Sequence, residues 1–349
     1  MSLRSIALYV VTLAIGSTFL IGGITLPAKA ADKAVLVIHG GAGVEAGLTD
    51  LEQENYKKGL KEALEAGFAA WKRGDEAVDV VKAAVCKLED NPLFNAGRGA
   101  VFSHEGKNEL DAAIMDGRDR KAGAVAGVTT VKNPILAAIA VMQKSPHVML
   151  VGNGADTFAK EQGLEIVDQK YFFTQKRWDD LQKKLDDEKK KKSLGPGATE
   201  ASTASSSGLG VDHKFGTVGA VALDSKNNLA AGTSTGGLTN KRWGRVGDSP
   251  VIGAGTYASN DCCAVSCTGE GEWFIRNTVA SDLAARVRYK RSSVKTAADA
   301  IIHGVLAPDR GEGGLIVIDN KGNFAMDFNS PGMFRGWIGA DGVPHAFVY

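Results

Sequence analysis

The hydrophobic pattern of the chain alternates between short, fully apolar runs and longer stretches with helical spacing. Ala34 to Ile38 is an uninterrupted apolar run, which predicts a buried strand leading into His39-Gly40-Gly41-Ala42-Gly43. Glycines directly after a strand let the backbone pass close to a ligand or to another strand. Tyr56, Leu60, Leu64, Phe68 and Trp71 then recur at helical spacing up to Gly74. Asp75 can cap a second helix with Val78, Val81, Val85 and Leu88 on one face. Strand patterns follow at Leu110 to Met115 and Ala122 to Thr130, then a helix from Asn133-Pro134 through Met142, then a strand at Val148 to Val151. Alternating strands and paired helices predict a mixed α/β fold built in layers.

The second half opens with Gly216-Thr217 and an apolar, β-branched run that ends at Asp224. After a turn at Asn227-Asn228 the chain returns as Leu229 to Thr235, so a hairpin is expected to set Thr235 beside the start of the first strand. Ala264 to Cys267 reads as another strand. Thr268-Gly269-Glu270-Gly271-Glu272 leads from it into a helix expected from Trp273 to about Tyr289. A helix from Ala297 to Leu306 and a hairpin from Leu315 to Asp327 close the pattern.

Between the halves, Gln175 to Lys192 is almost entirely charged and Ser193 to Gly210 is Gly, Ser, Ala and Thr. The stretch 175–216 is therefore expected to be a mobile linker without a core. Residues 1–30 carry Arg4, an apolar run from Ile6 to Leu26 and the small-x-small triplet Ala28-Lys29-Ala30, the pattern of an export signal cleaved before Ala31. An uncleaved membrane anchor is the competing reading. Export predicts a periplasmic or extracellular protein.

Charge and composition then narrow the class. The chain has 41 basic and 40 acidic residues, a near-balance that argues against a nucleic-acid partner. Its 43 glycines exceed the usual share and suggest tight turns and close backbone approaches. The four cysteines, Cys86, Cys262, Cys263 and Cys267, are too few and too clustered for a disulfide framework and are expected to be buried thiols. No CxxC pair or His-rich spacing indicates zinc.

Chemistry enters at Gly216-Thr217. Cutting that bond would leave Thr217 with a hydroxyl and a free α-amine, a nucleophile with its own base attached. Arg245 and Asp248 sit three apart in a glycine-flanked loop; converging in a pocket they would complement an amino acid's carboxylate and ammonium. A Thr268-Gly269 turn offers a hydroxyl and backbone N–H groups to an oxyanion. The Asn- and Gly-rich loop between Leu88 and Phe102 can turn several carbonyls toward one hard cation.

Together IHGGAG (38–43), PLFNAGRGAVF (92–102), ELDAAIMDG (109–117), GTVGAVALD, TSTGG, GRVGDSP and CTGEGE make the chain resemble the plant-type asparaginases, or isoaspartyl peptidases, over nearly all of its length beyond the leader. These are N-terminal-nucleophile hydrolases of the threonine type. The resemblance implies a four-layer αββα sandwich and self-cleavage between Gly216 and Thr217, giving an α chain of 31–216 and a β chain of 217–349. It implies Thr217 as nucleophile, Thr235 as its supporting hydroxyl, and Thr268 and Gly269 as the oxyanion hole. Arg245 and Asp248 would clamp the substrate, with Gly271 beside it and Asn95 near the nucleophile. It implies no organic cofactor and a structural sodium ion held by the carbonyls of Leu88, Glu89, Asn91, Phe94, Ala96 and Arg98. The substrate would be asparagine or a β-aspartyl dipeptide, and two cleaved units would associate. The alternatives are a glycosylasparaginase-like amidase and an uncleaved protein that only binds an amino acid.

Overall fold

A computed structural model describes residues 33–44, 47–193 and 216–349. The expected export signal at 1–30 and the part of the expected linker at 194–215 lie outside the described residues. The first half runs β1 (Leu36–Ala42), α1 (Asp50–Lys72), α2 (Ala77–Asp90), β2 (Leu110–Asp116), β3 (Ala122–Val128), α3 (Pro134–Lys144), β4 (Met149–Val151), α4 (Gly152–Glu161) and α5 (Gln175–Ser193). The second half supplies β5 (Val218–Leu223), β6 (Leu229–Thr235), β7 (Thr256–Ala258), β8 (Cys263–Gly269), α6 (Gly271–Arg276), α7 (Val279–Lys290) and α8 (Val294–Ile301). It ends with β9 (Gly313–Asp319), β10 (Phe324–Phe328), β11 (Met333–Ile338) and β12 (Pro344–Phe347).

Eight strands form one sheet in the order β12-β11-β1-β5-β6-β2-β3-β4, and four form a second in the order β10-β9-β8-β7. α1, α2 and α3 cover the outer face of the large sheet, α7 and α8 cover the small one, and the two sheets pack face to face. This is the αββα sandwich that the motifs implied.

Period-two alternation explains the layering. On β1, Leu36 and Ile38 pack under the helices while Val37 faces the other sheet; on β5, Val218, Ala220 and Ala222 face the helices while Val221 and Leu223 face inward. β8 and β9 repeat the device, with Val265, Cys267, Leu315 and Val317 under α7 and α8 and with Ala264, Ile316 and Ile318 between the sheets. Strands buried on both faces read as continuous apolar runs, which is how they look in the sequence. A capping box at Thr49 and Glu52 starts α1. Trp71 near its end donates from Nε1 to the Leu223 carbonyl at 3.1 Å, tying that helix to β5.

Three expectations need correction. Residues 175–193, expected as linker, are the helix α5. Gln175 donates to Asp179 at 2.8 Å, Lys189 pairs with Asp186 at 3.2 Å, Leu181 is buried and Trp178 packs edge-on to Phe102 with ring centres 5.3 Å apart. Mixed charges at helical spacing plus two apolar anchors stabilise a helix that a count of charges alone does not reveal. The single helix expected after Glu272 is broken in two by Thr278, whose φ of 44° is left-handed. The helix expected to end at Leu306 starts at Val294 and passes into a π turn over Ile302–Leu306. The cysteines are free, with Cys262, Cys263 and Cys267 buried as expected and Cys86 partly buried.

Candidate active site

The residues of β1, β5, β6 and β8 that face the inter-sheet layer become polar toward one end. Thr217 precedes β5, and its hydroxyl donates to the Thr235 hydroxyl at 3.2 Å, the placement expected of the hairpin. Thr235 in turn donates to the Gly216 carbonyl at 2.9 Å and accepts the Gly237 N–H at 3.0 Å. Asn95 donates from Nδ2 to that same Gly216 oxygen and to the Gly237 oxygen, both at 2.8 Å. Its own Oδ1 accepts the Val101 N–H at 3.0 Å, so the side chain is fixed at both ends. The Gly216 carbonyl therefore carries two side-chain donors, and the Thr217 hydroxyl is linked to one of them. Asn95 has a more definite place than its motif suggested: it holds the Gly216 carbonyl.

The glycines at the end of β1 have a physical reason. Gly41 has φ of 114°, and a Cβ there would lie 3.0 Å from Gly216 Cα and 3.2 Å from Thr217 N. His39, the last strand residue before them, is fully buried. Its Nδ1 pairs with the Thr217 carbonyl at 3.0 Å and its Nε2 with Ser266 Oγ at 2.9 Å. Burial pushes its pKa down to about 3, so the ring is neutral, with Nδ1–H donating to the carbonyl and Nε2 accepting from Ser266. Ser266 also bonds Thr233 Oγ1 at 2.7 Å; Thr256 donates to Thr233 at 2.7 Å and contacts the Ser249 carbonyl at 3.1 Å. A buried chain of the His39 ring and three hydroxyls thus runs from the Thr217 carbonyl to the loop that carries Asp248. Gly219 makes room for it: a Cβ there would meet Ser266 Oγ at 2.0 Å.

Thr217, Thr235, Gly237, Arg245, Asp248 and Gly269 line one narrow cleft together with Gly216. With Gly216 in place the cleft holds about 10 Å³, room for one water and not for an amino acid. Arg245 and Asp248 are brought to it, as their spacing suggested, but they do not bond each other. Arg245 is held by Glu272 through Nε at 2.9 Å and Nη2 at 2.8 Å, a bidentate carboxylate grip. Asp248 is buried with no partner for Oδ2, and burial pushes its carboxyl up to about 6 against the pull of a backbone N–H and Arg245. Gly271 packs under the loop, where a Cβ would come 2.8 Å from Asp248 N and 3.0 Å from Arg245 Nη2.

Thr268 stands apart from the cleft wall. It is fully buried and its Oγ1 accepts the Ala42 N–H at 3.1 Å, while Gly269 reaches the cleft. Its hydroxyl proton has no acceptor among the described residues, so it remains a donor. Glu272, Thr233, Ser266 and Thr256 were not singled out from the sequence. Thr233 and Ser266 stand two residues from Thr235 and Thr268 on the same strand faces, which was the available signal; Glu272 is the acid that follows Gly271 in CTGEGE.

The loop expected to hold sodium is wound tightly. Its N–H groups bond back within it, Asn91 to the Leu88 carbonyl at 3.3 Å, Phe94 to that of Asn91 at 3.2 Å and Ala96 to that of Phe94 at 3.0 Å. A Cβ on Gly97 would lie 2.4 Å from the Glu89 carbonyl and one on Gly99 2.1 Å from that of Phe94, so both glycines are required by oxygens crowded at this turn. Each carbonyl keeps a second lone pair, and the exposed Arg98 side chain turns outward toward the Tyr171 ring, 5.9 Å from its centre. Backbone carbonyls are hard oxygen donors, the ligand type that a hard cation takes. A separate group, Asp299, His303 and Asp327, lies on the surface near α8.

Comparison with known proteins shows the family. The asparaginase family model matches residues 32–348. The chain is 47% identical over 322 residues to a Salmonella typhimurium protein named isoaspartyl peptidase, covering 91% of this chain and 99% of that one. It is 46% identical over 327 residues to an Arabidopsis thaliana protein named probable isoaspartyl peptidase/L-asparaginase 2, covering 90% and 98%. With the human isoaspartyl peptidase/L-asparaginase it shares 39% over 313 residues, covering 89% and 94%. The chain belongs to the plant-type asparaginase and isoaspartyl peptidase family of N-terminal-nucleophile hydrolases.

Proposed function

We propose that the protein is a self-processing threonine amidohydrolase that releases aspartate from β-aspartyl dipeptides and from L-asparagine. The observation that carries this reading is the meeting of the Thr217 hydroxyl, the doubly held Gly216 carbonyl and the buried Asp248, whose Oδ2 has no partner, at one cleft. The family and its relatives' names support it.

Processing comes first. Thr217 Oγ attacks the Gly216 carbonyl carbon, and charge developing on that oxygen falls on Asn95 and Thr235. The C–N bond breaks as the hydroxyl proton passes to the nitrogen, leaving an ester that water hydrolyses to a Gly216 carboxylate and a free Thr217. The new α-amine is the base for turnover. The substrate's α-carboxylate then takes Arg245 from Glu272, whose carboxylate occupies the same guanidinium edge in the empty site, and its ammonium meets Asp248. Thr217 Oγ attacks the side-chain carbonyl, with the Gly269 N–H at the cleft wall as a donor to the oxyanion and the Thr268 hydroxyl as a second donor once departure of Gly216 opens the cleft toward it. Ammonia or an amine leaves with a proton from the α-amine, and water releases aspartate. No organic cofactor enters these steps. A sodium ion at the 88–98 carbonyls would brace the loop that positions Asn95. Association of two cleaved units, and export guided by residues 1–30, belong to the same proposal.

Substrate choice tests it. Arg245 offers two parallel N–H bonds that a lysine cannot copy, so Arg245→Lys is expected to lower kcat/KM on β-aspartyl dipeptides at least ~30-fold, from about 2 kcal/mol or more of lost charged contact. α-Linked dipeptides should be poor substrates because an amide replaces their free α-carboxylate. Equal rates on α- and β-linked dipeptides, or a fully active Arg245→Lys enzyme, contradict the clamp.

A further inference from the structure

Gly216 is shared by two cavities. One is the cleft with Thr217, Arg245 and Asp248; the other, of about 50 Å³, lies between the glycine-rich end of β1 and the start of α5. Tyr56, Phe334 and Leu93 form apolar walls there, with the Tyr56 and Phe334 rings stacked at 3.9 Å, and Lys176 and Arg177 also line it. Arg177 is committed to the protein, donating to the Gly99 carbonyl at 3.0 Å and the Leu93 carbonyl at 3.4 Å. Lys176 is exposed and has no hydrogen bond or ion pair among the described residues. Its charge acts weakly on Glu52 at the start of α1.

The chemistry fixes which side of the nucleophile this cavity serves. The proton for the leaving amine comes from the Thr217 nitrogen, and in the uncut chain that nitrogen is bonded to Gly216. A leaving group must therefore depart on the Gly216 side, while the aspartyl part is held on the Arg245 and Asp248 side. Because Gly216 lines both, its movement away from Thr217 after cleavage would join the two cavities into one larger space. We infer that this second cavity is the subsite for the residue that leaves: it takes an amino acid with an apolar side chain against Tyr56, Phe334 and Leu93 and sets its free α-carboxylate at Lys176. The inference rests on the proposed hydrolysis and deepens it, because it names the second residue of the substrate. It favours dipeptides over longer isoaspartyl peptides, whose second residue carries an amide where the carboxylate should be. L-Asparagine releases ammonia and makes no use of the subsite.

The test uses the processed protein with β-aspartyl-leucine and its C-terminal amide. Wild type is expected to prefer the acid; Lys176→Met should lower the acid-to-amide ratio of kcat/KM by about fivefold, the scale of a solvent-exposed ion pair, and Lys176→Glu should lower it further. The lysine is exposed, so neither change threatens folding. A ratio that is the same in wild type and both variants overturns the subsite while leaving the hydrolysis standing. Failure of wild type to cleave either peptide removes both readings.

Discussion

The layer between the two sheets has two ends built from the same strands, and they do opposite things. At the turn end of the β5–β6 hairpin the inward residues are Leu223 and Leu229, packed with Met115 and Ile318. At the open end the inward positions are Thr217, Thr233 and Thr235, joined by His39 and Ser266. One end excludes water by apolar contact. The other is equally buried but satisfies its polar groups through bonds to one another, and a buried hydroxyl left without a partner costs about 1–3 kcal/mol. Cohesion and chemistry are thus separated by a few residues along one hairpin, and the apolar end holds the hydroxyl end in register.

The sharpest way to break that comparison is to damage each end alone. Thr235→Val keeps the shape and removes the hydroxyl that contacts both Thr217 and the Gly216 carbonyl. Self-cleavage is expected to slow by about 10²–10³-fold, the loss usual for one oxyanion donor. Leu229→Ala should do the reverse, lowering unfolding free energy by about 2–5 kcal/mol while the folded protein still cuts itself. Gel-based processing rates and denaturant unfolding on both variants decide it. A Leu229→Ala protein that folds well but does not cleave, or a Thr235→Val protein that cleaves at the normal rate, would merge the two ends into one.

A smaller effect separates binding from stability through pH. The Asp248 carboxyl titrates near 6 in the folded chain, above the usual aspartate value, so the folded state holds that proton more tightly than the unfolded one. Its effect on stability is least unfavourable below the ordinary aspartate pKa and worsens as pH rises to about 6. Substrate binding has the opposite sign, since only the ionised form attracts an ammonium. KM for a β-aspartyl dipeptide should therefore rise by up to about tenfold per pH unit below 6. The stability gained by Asp248→Asn at pH 7 should shrink over the same range. A KM flat between pH 5 and 7 would show that Asp248 does not receive the ammonium.

Much of this was legible in the sequence, for identifiable reasons. β1, β5 and β8 announce themselves as apolar runs because both of their faces are buried, and the Asn227-Asn228 turn placed Thr235 beside Thr217 correctly. The same double burial erases the alternation that would have told two packed sheets from one. β7 has three residues, β12 begins at Pro344 and β11 contains Gly336, so none of them carries a strand pattern of useful length. α4 starts with Gly-Asn-Gly and reads as loop. Arg245 and Asp248 were visible as a possible clamp, but the guanidinium's partner in the empty site, Glu272, is 27 positions away and no local rule joins them. Asn95 showed the converse: the motif marked it, and only the two bonds at 2.8 Å gave it a task.

The central claim is that Thr217 becomes a chain terminus and then the nucleophile. Intact-mass measurement of purified wild type and Thr217→Ala tests it most directly. Wild type should yield two fragments, one of them beginning at Thr217, and the alanine variant should remain a single uncut chain without amidase activity. An active wild-type protein that stays in one piece, or an alanine variant cut after Gly216 at the normal rate, would contradict it.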